Sequence, residues 1–89
     1  LAPGGTTGWH FHDGVVVGFV RSGTLTHPGA DCVPVLYRAG DIIVEPAGQE
    51  NTHQGSNLGA DPVILDVVYL TAPDAPLFQD MPAPGCASP

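Results

Sequence analysis

Apolar residues in this chain come in short alternating runs, and glycine or proline interrupts them about every ten positions. WHFHDGVVVGFVR (9–21) reads as one long strand, or as two short ones interrupted near Gly14. A turn at Ser22-Gly23, a short strand Thr24–His27 and a turn at Pro28-Gly29 follow. VPVLY (33–37) predicts the next strand, RAGD a turn, and IIVEP (42–46) another strand that Pro46-Ala47-Gly48 ends. The polar stretch after it predicts a short strand near 51–56. VILDVVYLT (63–71) is the strongest strand, being rich in β-branched residues. Residues 72–89 carry five prolines and no periodicity, and are expected to lie along the body as an irregular tail. No window holds a helical repeat. The pattern is that of an all-β sandwich or barrel, with residues 1–89 forming one domain.

Strand parity sorts these residues into faces, because positions i and i+2 point the same way. His10 and His12 share a face with Val16, Gly18 and Val20 if the strand stays in register. In the 63–70 strand, Val63, Leu65, Val67 and Tyr69 oppose Ile64, Asp66, Val68 and Leu70. Both of these faces are largely apolar, so both are expected to be covered. Tyr69 is read as a rim hydroxyl, and Asp66 as an outer-face acid or the partner of an arginine.

Composition narrows the function classes. The net charge is −7, with nine acidic residues against Arg21 and Arg38 and no lysine. That argues against nucleic acid, which requires clustered cations, and against an anionic membrane surface. No apolar run approaches the roughly 18 residues of a membrane span. The chain begins at Leu1 rather than Met, so a processed or trimmed product is expected, from which an export signal could have been removed. A chain of 89 residues buries a modest core and gains from a disulfide, a metal or a partner subunit. Cys32 and Cys86 are the two cysteines; either they form one disulfide tying the tail to a loop, or they are two free thiols. The disulfide is the favoured reading, and it implies secretion into an oxidising compartment; free thiols would fit the cytoplasm.

His10 and His12, side by side on one strand, make half a metal site. As neutral ligands of one ion they avoid the repulsion of two buried imidazolium groups. Taken alone, His-x-His is equally compatible with an idle exposed pair. His53 is the candidate third ligand, in a polar segment after Pro46-Ala47-Gly48. His27 precedes Pro28-Gly29 and is read as an exposed histidine at a hairpin tip.

These residues carry a resemblance to the cupin family. Gly4, His10, His12 and Gly23 match the spacing of that family's first motif, with Val16 at its glutamate position. Gly40, Pro46, Gly48, His53 and Asn57 follow the order of the second motif. Four residues rather than two separate Gly48 from His53, which leaves Asn51 at the expected histidine position. MPAPGCASP (81–89) is similar to the tails of small actinobacterial cupins, many of which lack the acidic ligand. The resemblance implies a cupin-type double-stranded β-helix, or jelly-roll, barrel. It also implies a divalent metal (Fe, Mn, Zn, Ni or Cu) held by His10, His12 and His53.

With Val16 in place of glutamate, three neutral ligands leave the ion's charge uncompensated. The site then favours a small anionic, bidentate substrate and keeps positions open for it. The function implied is a non-haem Fe(II) or Mn(II) oxygenase acting on a small organic acid. The alternatives are a binding barrel without turnover and, ranked last, a metal-free isomerase or epimerase. Glu50, in the longer loop, is the candidate substitute carboxylate, and a solvated loop acid is the preferred reading of it. Asp13 follows His12 but points away on a regular strand. Asn57 is read as bonding loop backbone, and Gly23, Gly40 and Gly48 as turn residues. The scarcity of strands before the first motif leaves an exposed edge, which predicts a homodimer.

Overall fold

The structure, a computed structural model, describes residues 1–87. It is all-β. The strands are β1 (His10–Phe11), β2 (Val15–Ser22), β3 (Thr24–Thr26), β4 (Leu36–Arg38), β5 (Ile42–Glu45), β6 (Ile64–Leu70) and β7 (Gln79–Asp80). The only helical segment among the described residues is a 3-10 turn, Gln49–Asn51. The central sheet is antiparallel with order β5-β2-β6; β3 pairs with β4 and β1 with β7. Isolated bridges join these sheets: Thr6 and Thr26 each pair with Ser56, and His10 pairs with His53. The three sheets do not merge into one closed barrel.

Alternation in β2 builds the core. Val16 and Val20 are buried while Val15 and Phe19 are exposed. Val20, Leu25, Ile43 and Val63 form the fully packed cluster, with Tyr37 and Leu65 against it. Each such aliphatic side chain contributes about 1.5–3 kcal/mol by leaving water. Gly14 explains the break between β1 and β2: a Cβ there would collide with the Leu70 carbonyl oxygen. Gly23, at φ +79°, makes the tight turn into β3, with Pro62 O only 2.5 Å from where a Cβ would sit.

Several local expectations shift. The strand expected at 33–37 begins at Leu36 instead, after Cys32 at φ 61° and the donor-less Pro34. The segment near 51–56 is no strand: its pairing is reduced to single bridges at His53 and Ser56. Within the proline-rich tail, Gln79–Asp80 pair with β1, and Cys86 is bonded to Cys32, with Cα atoms 6.1 Å apart. On β6 the inward side chains line a cavity. Its other face, Ile64, Val68 and Leu70, is exposed rather than covered. Among the described residues, no helix is long and apolar enough to cross a membrane.

Candidate metal centre

His10, His12 and His53 are all buried and lie together, with ligand nitrogens within 4.8 Å of one another. Backbone pairing brings them there. His10 N donates to His53 O at 3.0 Å and His53 N to His10 O at 2.9 Å, so two residues 43 apart in sequence are cross-strand neighbours. Gly48 N donates to His12 O at 2.9 Å, which ties the loop after β5 to the His-x-His strand. The two extra residues between Gly48 and His53 are absorbed by the 3-10 turn, where Asn51 Nδ2 donates to Ala47 O at 2.9 Å. Asn51 therefore caps its own loop, and His53 takes the place in the site.

The hydrogen bonds of the three rings fix their tautomers. Nδ1 of His10 faces Gly8 O at 2.9 Å, Nδ1 of His12 faces Leu77 O at 2.7 Å, and Nδ1 of His53 faces Asn51 O at 2.9 Å. A carbonyl oxygen only accepts, so each Nδ1 carries the proton and donates it. In the neutral rings each Nε2 is then left with a lone pair, the state that metal-ligating histidines adopt. Nε2 of His12 and His53 stand 3.2 Å apart, so in the neutral tautomers two acceptors face each other.

A carboxylate completes the cluster, and it is neither Val16's position nor Glu50 that supplies it. Glu45, at the end of β5, places Oε1 3.2 Å from His12 Nε2 and Oε2 3.1 Å from His53 Nε2. Glu50 is exposed, its carboxylate packed over Gly48. His27 corrects the reading of an exposed hairpin tip: its side chain is only 13% exposed, and its Nε2 sits 2.5 Å from Glu45 Oε2. It also stacks on the His53 ring, with centroids 4.8 Å apart. Three of the four histidines thus meet one carboxylate, and the His10 ring packs against those of His12 and His53.

The signal for Glu45 is strand parity, since IIVE alternates and puts Glu45 on the inward face with Ile43. What the sequence does not supply is the register, in which Glu45 is the cross-strand partner of Val16.

Burial pushes the Glu45 carboxyl upward. The hydrogen bond from His27 and the charges of His53, His27 and His12 outweigh that, and hold it below the usual carboxylate value. Burial pushes His53 down, and His10 and His27 add to this. Glu45 and the Asn51 carbonyl oppose the drop only in part, so His53 settles at about 4. His53 is neutral at pH 7, as a ligand must be.

The cluster opens into a cavity of about 310 Å³. Val16, Leu25, Val63, Leu65 and Val67 form its apolar wall, and Tyr69 stands at the side with its ring 5.9 Å from that of His12. Asp66 is on the outer face, paired with Arg21 at 2.8 Å, and takes no part. Asn57 is fully buried and bonds backbone only, donating to Leu1 O and Asp61 O and accepting from Gly59 N.

The family model described as Cupin domain matches residues 1–69. No curated protein matches the sequence. Among solved structures, KdgF from Halomonas sp. superposes with a TM-score of 0.65 at 20% identity, covering 83% of this chain and 66% of that one. An oxalate oxidase, the subject of a structural and spectroscopic study of its mechanism, superposes with a TM-score of 0.63 at 23% identity, covering 86% of this chain and 48% of its own. The chain thus spans just under two thirds of the first neighbour's length and about half of the second's. At these identities the likeness establishes the fold.

Proposed function

This chain belongs to the cupin family, and from that footing we propose that it binds a divalent metal through His10, His12 and His53 and acts as a non-haem, metal-dependent oxygenase on a small organic acid. The observation that carries the reading is the tautomer pattern. Three buried imidazoles each hold Nδ1 against a backbone carbonyl and lie within ligand reach of one another, so in their neutral forms they would present Nε2 lone pairs to a cation. The donor set is compatible with Fe, Mn, Zn, Ni or Cu. When bound, the ion would polarise a substrate oxygen and, if redox-active, supply electrons to O₂.

The chain's own residues would bind and orient. The aliphatic wall would exclude water from one end of the substrate and leave its anionic end toward His10, His12 and His53, which would hold the ion. The Nδ1–H bonds to backbone keep the rings from turning. The Cys32–Cys86 disulfide fits an oxidising compartment, and export belongs to the same proposal. The experiment is elemental analysis of the purified protein, followed by oxygen-electrode assays with small carboxylic acids. Protein that stays metal-free after supplementation would sink the reading. Metal uptake without oxygen consumption would favour the binding barrel.

One observation favours a second reading. His27 and Glu45 form the histidine–carboxylate pair that metal-free isomerase or epimerase chemistry would need, with Tyr69 as the acid. Turnover that survives complete chelation would select it.

A further inference from the structure

We infer that Glu45 is a ligand of the metal, and that His27 is the residue that positions it. The centre then has three histidines and one carboxylate, with the carboxylate delivered from β5 instead of β2. This rests on the metal-binding reading above and deepens it.

Three observations converge. Val16 and Glu45 are direct partners in the antiparallel β2–β5 ladder, so their side chains share the inward face. A carboxylate missing at Val16 is therefore present one strand across, over the same cavity. Next, the two oxygens of Glu45 are divided between His12 and His53, at 3.2 and 3.1 Å. In the neutral rings, with the Nδ1 protons committed to carbonyls, neither has an Nε2–H to offer that carboxylate. Four acceptor atoms face one another, and burial makes such an arrangement costly unless a cation lies among them.

The third observation separates His27 from the ligands. Its Nε2 stands 2.5 Å from Glu45 Oε2, and a carboxylate only accepts, so His27 Nε2 carries a proton and donates it. That nitrogen has no lone pair for a metal while the bond stands. His27, Glu45 and His53 also lie close enough to suggest a second ion. The bonding pattern reads differently: one ion, a carboxylate ligand, and a histidine clamping its outer oxygen. The charge follows: a divalent ion with Glu45 carries +1, so a monoanionic substrate neutralises the site.

The test uses the full chain, stripped of metal and titrated with Co(II) alone. Affinity is read against a competing chelator and ligand environment from the visible absorption of the bound ion. Wild type should take up one equivalent. Glu45→Gln should weaken binding by more than about 100-fold and change the spectrum, while circular dichroism shows the fold retained. His27→Ala should weaken it about 10–100-fold, the range typical of residues that orient ligands. His27→Gln, which restores a donor, should recover most of that loss, as a merely structural role would not require. Glu45→Gln binding within about threefold of wild type, with an unchanged spectrum, overturns the inference and leaves the three-histidine centre standing. Two equivalents per chain also overturn it. Wild type that takes up no cobalt overturns the metal reading itself.

Discussion

Val16 and Glu45 face each other across the β2–β5 ladder and point into the same cavity. A carboxylate on either strand therefore reaches the same cluster of imidazoles. This makes the position exchangeable. A Val16→Glu, Glu45→Gln double variant should bind Co(II) within about tenfold of wild type, whereas Glu45→Gln alone falls well below it. The comparison is a double-mutant cycle, in which coupling appears as non-additivity. Additive losses would mean that the two positions do not serve one ion.

The reciprocal backbone bonds of His10 and His53 make the site a product of folding, since neither motif holds three ligands alone. Metal should accordingly raise stability by mass action. At a hundredfold excess over Kd the gain is about 2.7 kcal/mol, or about 10–20 °C in a domain of this size. Differential scanning fluorimetry with and without chelator measures it. His53→Ala should abolish the metal-dependent shift, and a shift that persists would place the ion elsewhere.

The metal-free protein should lose stability as pH falls. His53 has a folded value near 4 against an ordinary 6.5, so between these the unfolded chain binds more protons. The contribution is present above about 6.5 and lost as pH drops toward 4. It amounts to at most about 3–4 kcal/mol, from 1.36 kcal/mol per pKa unit. Glu45, held below its ordinary value, adds a loss of the same sign at still lower pH. Urea midpoints between pH 7.5 and 4 should show this slope, and His53→Gln should flatten it.

Cys32 and Cys86 close a loop across 54 positions of the chain. Opening it should destabilise the fold by about 2–4 kcal/mol, chiefly through the freedom restored to the unfolded state. A Cys32→Ser, Cys86→Ser double variant compared with wild type in urea tests this. Because β7 pairs with β1 just upstream of Cys86, exchange protection at His10 and Phe11 should fall with it. Equal midpoints would show that the bridge contributes nothing to the fold.

The parts of the site that are legible in the sequence are those governed by spacing. His10, His12 and His53 are set by local alternation and by a loop whose two additional residues curl into a 3-10 turn. Glu45 and His27 depend on register and on the course of a loop, which are tertiary facts. IIVEP shows Glu45 as the last residue before a strand-ending proline, and nothing local says that Val16 lies opposite. Pro28-Gly29 suggests a hairpin tip, yet Gln54 N donates to Pro28 O at 3.1 Å, and this seats His27 inside instead. The faces of β6 mislead for a related reason. Alternation between two apolar sets does not tell which one a neighbour covers.

That uncovered face carries the homodimer proposal. Val17, Phe19, Ile42, Val44, Val68 and Leu70 stand on the outer side of the β5-β2-β6 sheet, and all but the half-buried Val17 are exposed. Contiguous apolar surface of this kind marks an interaction site. Its charged residues within the strands are Arg21 and Asp66, which neutralise each other. A chain of net charge −7 repels a copy of itself over most orientations, but this face presents a neutral surface to its own kind. A second copy stacked here would cover the aliphatic rows of both. Sedimentation velocity at micromolar concentration should give a dimer. A Phe19→Lys, Val68→Lys variant should sediment as a monomer while keeping wild-type Co(II) affinity, because neither residue lines the cavity. A wild-type monomer under these conditions would remove the dimer from the reading and leave the metal centre untouched.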